Sequence, residues 1–188
     1  GRHKSAPALV QAGVPRPVSL KLLADVLRGL LAEGVSIRGL GQILETLATE
    51  AAASTNAGVL IERVRLRLSR QLTYALAQSG SLALHTVDPL IEDALRDALP
   101  HKAEGYSAYS VLALPPDQAR DIVDAVRRAM ADDSGAKTVL VTQPDVRSHL
   151  RKLLESELPD VAVLSYPELA SEVQVQRRTP VRIARSVG

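Results

Sequence analysis

The chain reads as an α+β or α/β protein: a three-helix subdomain followed by a small α/β subdomain with a mixed sheet of about four to five strands. Three observations carry this. Up to about residue 79, apolar residues recur at three- and four-residue steps, the spacing of a single helix face. Beyond residue 80, short apolar runs alternate with amphipathic stretches, the texture of alternating strands and helices. Finally, 46% of residues are hydrophobic but only 2% aromatic, with no Trp and no Phe, so the core is built from Leu, Val, Ile and Ala, which suits helices and helix-on-sheet layers. The expected organisation is an incoming tail over 1–16, a helical subdomain over 17–79 and an α/β subdomain over 80–188 that ends in a frayed tail.

The tail GRHKSAPALVQAGVPR has no initiator Met, so the chain is expected to be a piece of a longer protein. Ser19 caps a first helix running to about Glu33, with Leu20, Leu23, Leu27, Leu30 and Leu31 on one face. The string Glu33-Gly34-Val35-Ser36-Ile37-Arg38 is a hinge: Gly34 sits where a left-handed C-cap belongs and Ser36 where an N-cap belongs. A second helix then spans Ser36 to about Ala53 on Ile37, Leu40, Ile43, Leu44 and Leu47, weakened by Gly39 and Gly41. Ser54-Thr55-Asn56 caps a third helix, about Ala57 to Gln78. Here Ile61, Val64, Leu68, Leu72 and Ala75 keep the helical step and Arg63, Arg67 and Arg70 share a face.

In the second half, strands are expected at Leu82–Val87, Tyr109–Leu114, Lys137–Thr142, Val161–Leu164 and Glu172–Arg177. Helices are expected from Pro89 to Leu99, capped by Asp88, from Pro115 to about Ala131 and from Pro144 to Leu158, with a helical turn over Tyr166–Ala170. Asp132-Asp133-Ser134-Gly135 is a turn, and from Arg178 the chain is polar.

The search for chemistry returns little. Zero cysteine excludes disulfides, thiol catalysis and Cys-ligated zinc. No apolar run reaches the roughly 20 residues that cross a bilayer, so this stretch is expected to be soluble. Phosphate-binding glycine motifs are missing, and His3, His85, His101 and His149 form no metal-ligand pair, so no cofactor or metal is expected. His149 with Ser148 and Asp145 is the nearest approach to a nucleophilic site, but Asp145 and His149 make a simpler i,i+4 surface pair. Thr142-Gln143-Pro144-Asp145 lies at a strand-to-helix junction where open α/β sheets bind anions, yet Asp145 would repel one and reads as a cap. Arg63, Arg65, Arg67 and Arg70, with Arg147, Arg151 and Lys152, support a nucleic-acid-binding regulator as the alternative function. Against it, no aromatics interleave with the arginines and the second half is net acidic. Residues 1–79 carry +5 and residues 80–188 carry −3, an asymmetry that fits complementary edges between neighbouring subunits.

Three strings in order, VLRGLLAEGVSIR at 26–38, VLVTQPDVRSHLRKLL at 139–154 and PDVAVLSYPEL at 159–169, resemble the C-terminal cytoplasmic region of the type III secretion export-gate family. That family comprises the large inner-membrane export protein of injectisomes and its flagellar counterpart. The resemblance runs from about Pro7 onward, and Leu164–Leu169 with Val173-Gln174-Val175-Gln176 look more like the injectisome branch. It implies that this chain is the last two of four cytoplasmic subdomains, at the cytoplasmic face of the inner membrane. It also implies a homo-oligomeric, usually nine-membered ring that receives substrates, chaperone–substrate complexes and a gatekeeper protein, and works with other export-apparatus and ATPase-complex components. No enzymatic activity and no nucleic-acid partner are implied. On this basis Glu62, Arg63, Arg67 and Arg70 are candidate ring contacts, and Gly34, Ser36, Ile37 and Arg38 form a structural hinge. Two departures stand out. Gly39 replaces the acidic residue that would complete a capping box, and Gly41 is unusual in a helix.

Overall fold

The computed structural model describes residues 18–100 and 113–183. The chain divides into two compact units, and among the described residues the first ends at Leu68 and the second begins at Ser69.

The first unit holds α1 (Leu20–Ala32), α2 (Leu40–Glu50) and α3 (Ala57–Arg67). Ser19 Oγ accepts from the Leu22 N–H at 3.1 Å and Asn56 Oδ1 from the Val59 N–H at 3.3 Å, so α1 and α3 start where the caps predict. Val26 and Leu30 of α1, Ile43 and Leu47 of α2, and Leu60 and Val64 of α3 are buried and form the core. The buried stripe of α1 is rotated from the expected one: Leu20 and Leu31 are 65% and 53% exposed, while Val26 is fully enclosed. Leu40 at the start of α2 is likewise exposed. The rotation brings Gly29 against α3, where a Cβ at that position would lie 2.3 Å from Ile61 Cδ1. Among the described residues this core holds no aromatic side chain, and close backbone approach fills the space.

Two expectations for this unit are corrected. The second helix starts at Leu40, not Ser36, and ends at Glu50. Its cap position is Gly39, which has no side chain to hold the first N–H groups, and Ser36 Oγ accepts instead from the Arg38 N–H at 3.3 Å in the preceding turn. The expected third helix is two helices, because Leu68 leaves helical geometry (φ −93°, ψ 10°) and α4 (Ser69–Leu76) belongs to the second unit. The division therefore falls at 68–69 rather than near residue 80. The reason is chemical. Thr73 of α4 is fully buried, bonds the Glu168 carbonyl at 2.9 Å and accepts from the Ala170 N–H at 3.1 Å. Both partners lie in the α/β part of the chain.

The second unit continues with β1 (Ser81–Thr86), α5 (Pro89–Asp97), α6 (Pro116–Met130), a 3-10 turn (Ala131–Asp133), β2 (Val139–Thr142), α7 (Arg147–Leu154), β3 (Ala162–Ser165), a second 3-10 turn (Tyr166–Glu168) and β4 (Gln174–Arg177). The strands form one sheet in the order β3-β2-β1-β4. All three pairings are parallel, with His85 opposite Leu140, Leu140 opposite Val163 and Leu82 opposite Val175, so the expected mixed sheet is a parallel one. The crossovers explain it: α5 and α6 separate β1 from β2, and α7 separates β2 from β3, leaving no hairpin among the described strands. The core beneath is aliphatic, with Ile91, Leu95, Val126, Leu140, Leu150 and Val163 enclosed.

Of the expected strand at 109–114, residues 109–112 lie outside the described residues; Ala113 and Leu114 are not in a strand, and the Ala113 N–H bonds the Ala98 carbonyl at 3.0 Å. The expected incoming tail at 1–16 also lies outside them. The expected helix from Pro144 begins at Arg147, after a turn. Beyond β4 the chain is not frayed as far as residue 183. The Arg178 N–H bonds the Leu84 carbonyl at 2.9 Å, the Val181 N–H bonds the Thr86 carbonyl at 2.8 Å, and Val181 is buried.

Gly29→Ala is expected to show coupling of about 1 kcal/mol with Ile61→Val in a urea-denaturation double-mutant cycle, because shortening Ile61 removes the Cδ1 that the new methyl meets. Independent effects of the two changes would show that the helices do not approach this closely.

Candidate functional site

The hinge ends α1 by a specific mechanism. Gly34 takes φ +73°, its N–H bonds the Leu31 carbonyl at 2.9 Å, and the Val35 N–H bonds the Leu30 carbonyl at 3.0 Å. This pair is a Schellman motif, and burial of both Val35 and Leu30 supplies its usual apolar clasp. A side chain at Gly34 would meet open space, so the requirement is conformational rather than steric. Ile37 is half-buried and Arg38 exposed. The residue that holds the joint is Arg65, which the sequence analysis grouped with the basic residues of the nucleic-acid alternative. It is buried on α3 with its guanidinium 3.6 Å from the Glu33 carboxylate at the end of α1. The signal was its position between Val64 and Leu68 on the apolar step rather than on the Arg63, Arg67 face.

The four candidate ring contacts do not form one set. Glu62, Arg63 and Arg67 lie on α3 in the first unit, and Arg70 on α4 in the second. Arg63 and Arg67 are exposed and Glu62 is half-buried. Arg63 approaches Glu50 of α2 at 3.9 Å, and the Arg67 carbonyl accepts from the Gln42 amide at 3.3 Å. Arg70 lies over the exposed ring of Tyr74, 5.8 Å from its centroid.

The carboxyl ends of β2 and β3, where an open α/β sheet would receive a ligand, are closed by the protein's own groups. Glu92 of α5 is buried and accepts from the Thr142 hydroxyl at 2.6 Å and the Gln143 N–H at 2.8 Å. Arg96, one turn on, holds Asp145 through two bonds of 2.6 and 3.1 Å. The Arg96 guanidinium keeps the Asp145 carboxyl below the usual carboxylate range. Asp145 lies in the turn before α7 rather than on the helix that carries His149, and His149 is buried, which corrects the expected i,i+4 surface pair on one helix. At β3, Ser165 and Glu168 form a capping box, with Glu168 Oε1 accepting from the Ser165 N–H at 2.9 Å.

Some of the basic residues behind the nucleic-acid reading are internal. Arg147 is fully buried and donates to the Val163 carbonyl at 2.9 Å, and Arg151 donates to the Pro159 carbonyl at 3.1 Å. With Arg65, three of the seven cations face the interior. Among the described residues no group of three or more His, Asp or Glu is placed to hold a metal, and no helix is long and apolar enough to cross a membrane.

The chain belongs to the FHIPEP family, whose profile matches residues 2–174. It is 36% identical over 171 residues to the protein hrpC2 of Xanthomonas euvesicatoria, covering 90% of this chain and 26% of that protein. Among solved structures it is similar to CdsV of Chlamydia pneumoniae, at TM-score 0.82 and 33% identity, covering 95% of this chain and 51% of that one. CdsV has also been solved in complex with CdsO. The nonameric EscV cytosolic domain from the type III secretion system matches at TM-score 0.73 and 28% identity, over 87% of this chain and 48% of that one. The chain thus spans about a quarter of the curated relative and about half of each solved domain.

Arg65→Ala is expected to lower unfolding free energy by about 3 kcal/mol, since it removes a buried cation and its stem from beside the Glu33 carboxylate, while Arg65→Met, which keeps the aliphatic stem, loses less. A loss within error on urea denaturation would show that the joint does not depend on this pair. The Arg96–Asp145 contact adds a small acid-sensitive increment, below about 1 kcal/mol because both groups are partly exposed. Asp145 has a depressed folded-state pKa, so the increment is present above the ordinary carboxylate range and disappears as pH falls through the folded value. Arg96→Gln is expected to lower stability at neutral pH and to converge with the unmodified chain in strong acid; a gap that persists there would contradict the assignment.

Proposed function

We propose that this chain is an assembly and docking segment of a type III export gate. Its helical unit makes lateral contacts in a homo-oligomeric, nine-membered ring, and its α/β unit offers a surface to export substrates, chaperone–substrate complexes, a gatekeeper and ATPase-complex components. The reading treats the chain as a transport component without catalysis, at the cytoplasmic face of the inner membrane within a larger membrane protein. The observation that carries it is the match to a cytosolic domain solved as a nonamer. Two features of the chain itself agree. Conspicuous charges with catalytic or anion-binding potential are taken up in internal bonds: Glu92 on Gln143, Arg96 on Asp145 and Arg147 on Val163. The exposed charges that remain on α3, Arg63 and Arg67, lie on one helix face, a geometry suited to pairing with an acidic edge of a neighbour.

Glu62, Arg63 and Arg67 are the ring contacts on this reading, and Arg70 acts separately from α4. In a longer chain carrying all cytoplasmic subdomains, Arg63→Glu with Arg67→Glu is expected to shift the assembly from rings toward monomers at least tenfold in mass photometry, with unchanged thermal unfolding. A longer chain that stays monomeric at high concentration would overturn the ring. Rings indifferent to the charge reversal would remove these residues from its contacts.

A further inference from the structure

His85 is fully buried in β1, and both of its ring nitrogens face hydrogen-bond acceptors. Nδ1 lies 2.6 Å from the Thr179 carbonyl oxygen, beyond β4. Nε2 lies 3.0 and 3.1 Å from the two carboxylate oxygens of Asp133, in the turn that follows α6. Asp133 is also buried and takes a further hydrogen bond from the Thr138 hydroxyl, which leads into β2. A neutral imidazole has one N–H and one bare nitrogen, so beside an ionised Asp133 it can satisfy only one of these acceptors. The other contact would set a lone pair against a lone pair at hydrogen-bond distance, on a ring that is itself fully buried. One additional proton resolves the conflict. It sits on the ring as an imidazolium beside a carboxylate, or on Asp133 beside an imidazole that keeps Nδ1–H for Thr179; the total number of protons is the same.

We infer that His85 and Asp133 hold this shared additional proton in the folded protein and that it works as a clasp, fastening the segment after β4 onto β1. The placement of the bonds defines what the clasp holds. Thr179 lies between Arg178 and Val181, whose N–H groups extend the pairing to the Leu84 and Thr86 carbonyls. The other charged groups at the clasp are Asp132 and Arg178. Arg178 approaches Asp133 at 3.6 Å and donates to the Asp132 carbonyl, while the Asp132 carboxylate accepts from the Thr179 N–H at 3.0 Å. The Thr179 bond holds the Asp132 carboxyl below the usual carboxylate range, which keeps a second negative charge beside the histidine. Losing the shared proton removes one of the two bonds that tie Thr179 and Asp133 to β1. The segment from Arg178 to Val181 is then the part of the sheet that opens first, because it lies outside the regular strands.

Ring nitrogen and proton resonances of His85 in the ¹⁵N-labelled protein at neutral pH test the proton count directly. Either an N–H on both nitrogens, or Nδ1–H with a hydrogen-bonded proton on Asp133, is expected; a bare ring nitrogen beside an ionised Asp133 overturns the inference. His85→Leu provides the second test, since an apolar side chain can hold neither the additional proton nor the bond to the Thr179 carbonyl. Hydrogen-exchange protection of the Val181 amide is expected to fall about tenfold, the scale of one charge-assisted hydrogen bond, while that of Leu140 and Val163 in the β2–β3 pair is retained. Unchanged protection at Val181, or an equal loss at all three amides, overturns the clasp.

Discussion

Short parallel strands leave much of their backbone at strand ends, where no neighbour completes the ladder, and the architecture of the α/β unit depends on satisfying those groups. β2, β3 and β4 have four residues each. Buried charged or titratable side chains do much of the work: Glu92 takes the Gln143 N–H, Arg147 bonds the Val163 carbonyl, Glu168 takes the Ser165 N–H, and His85 reaches the Thr179 carbonyl. A buried polar backbone group without a partner costs about as much as a lost hydrogen bond, and a buried charge costs more unless it is bonded. Each of these side chains meets both requirements at once.

The same principle governs the helical unit, with different parts. α1 stops at the Gly34 motif, which satisfies two of its terminal carbonyls through backbone geometry alone. Arg65 then sets a charge beside the C-terminal end of that helix and beside Glu33, which fixes α3 against the joint. Close helix approach at Gly29 fills space between α1 and α3 without a large side chain. The unit is therefore an aliphatic core with a polar lock at one end.

This arrangement bears on function through what it removes from the surface. Arg65, Arg147 and Arg151 look like binding residues in a linear reading, yet they hold the fold together. What stays exposed on α3 is a narrower set, Arg63 and Arg67, beside the half-buried Glu62. The chain belongs to the FHIPEP family and is similar to a domain solved as a nonamer, which is the ground on which that narrower set is proposed for lateral contacts.

Much of the local structure was legible in the linear chain because its causes are local. Ser19, Asn56 and Asp88 cap helices through bonds that reach two or three residues, and Gly34 ends a helix through bonds across one turn. The strings at 26–38, 139–154 and 159–169 were enough to point to the family that the profile match establishes. Tertiary structure determined the rest. The parallel sense of the sheet depends on crossovers, and the break at Leu68 depends on Thr73 finding partners near residue 168. The burial of Arg65 follows from Glu33 meeting it across the helix joint, and that of His85 from Asp133, 48 residues away. A periodic pattern records which residues share a face, but a charge becomes an interior group only when a distant partner arrives to offset its desolvation. No spacing within one segment encodes that arrival.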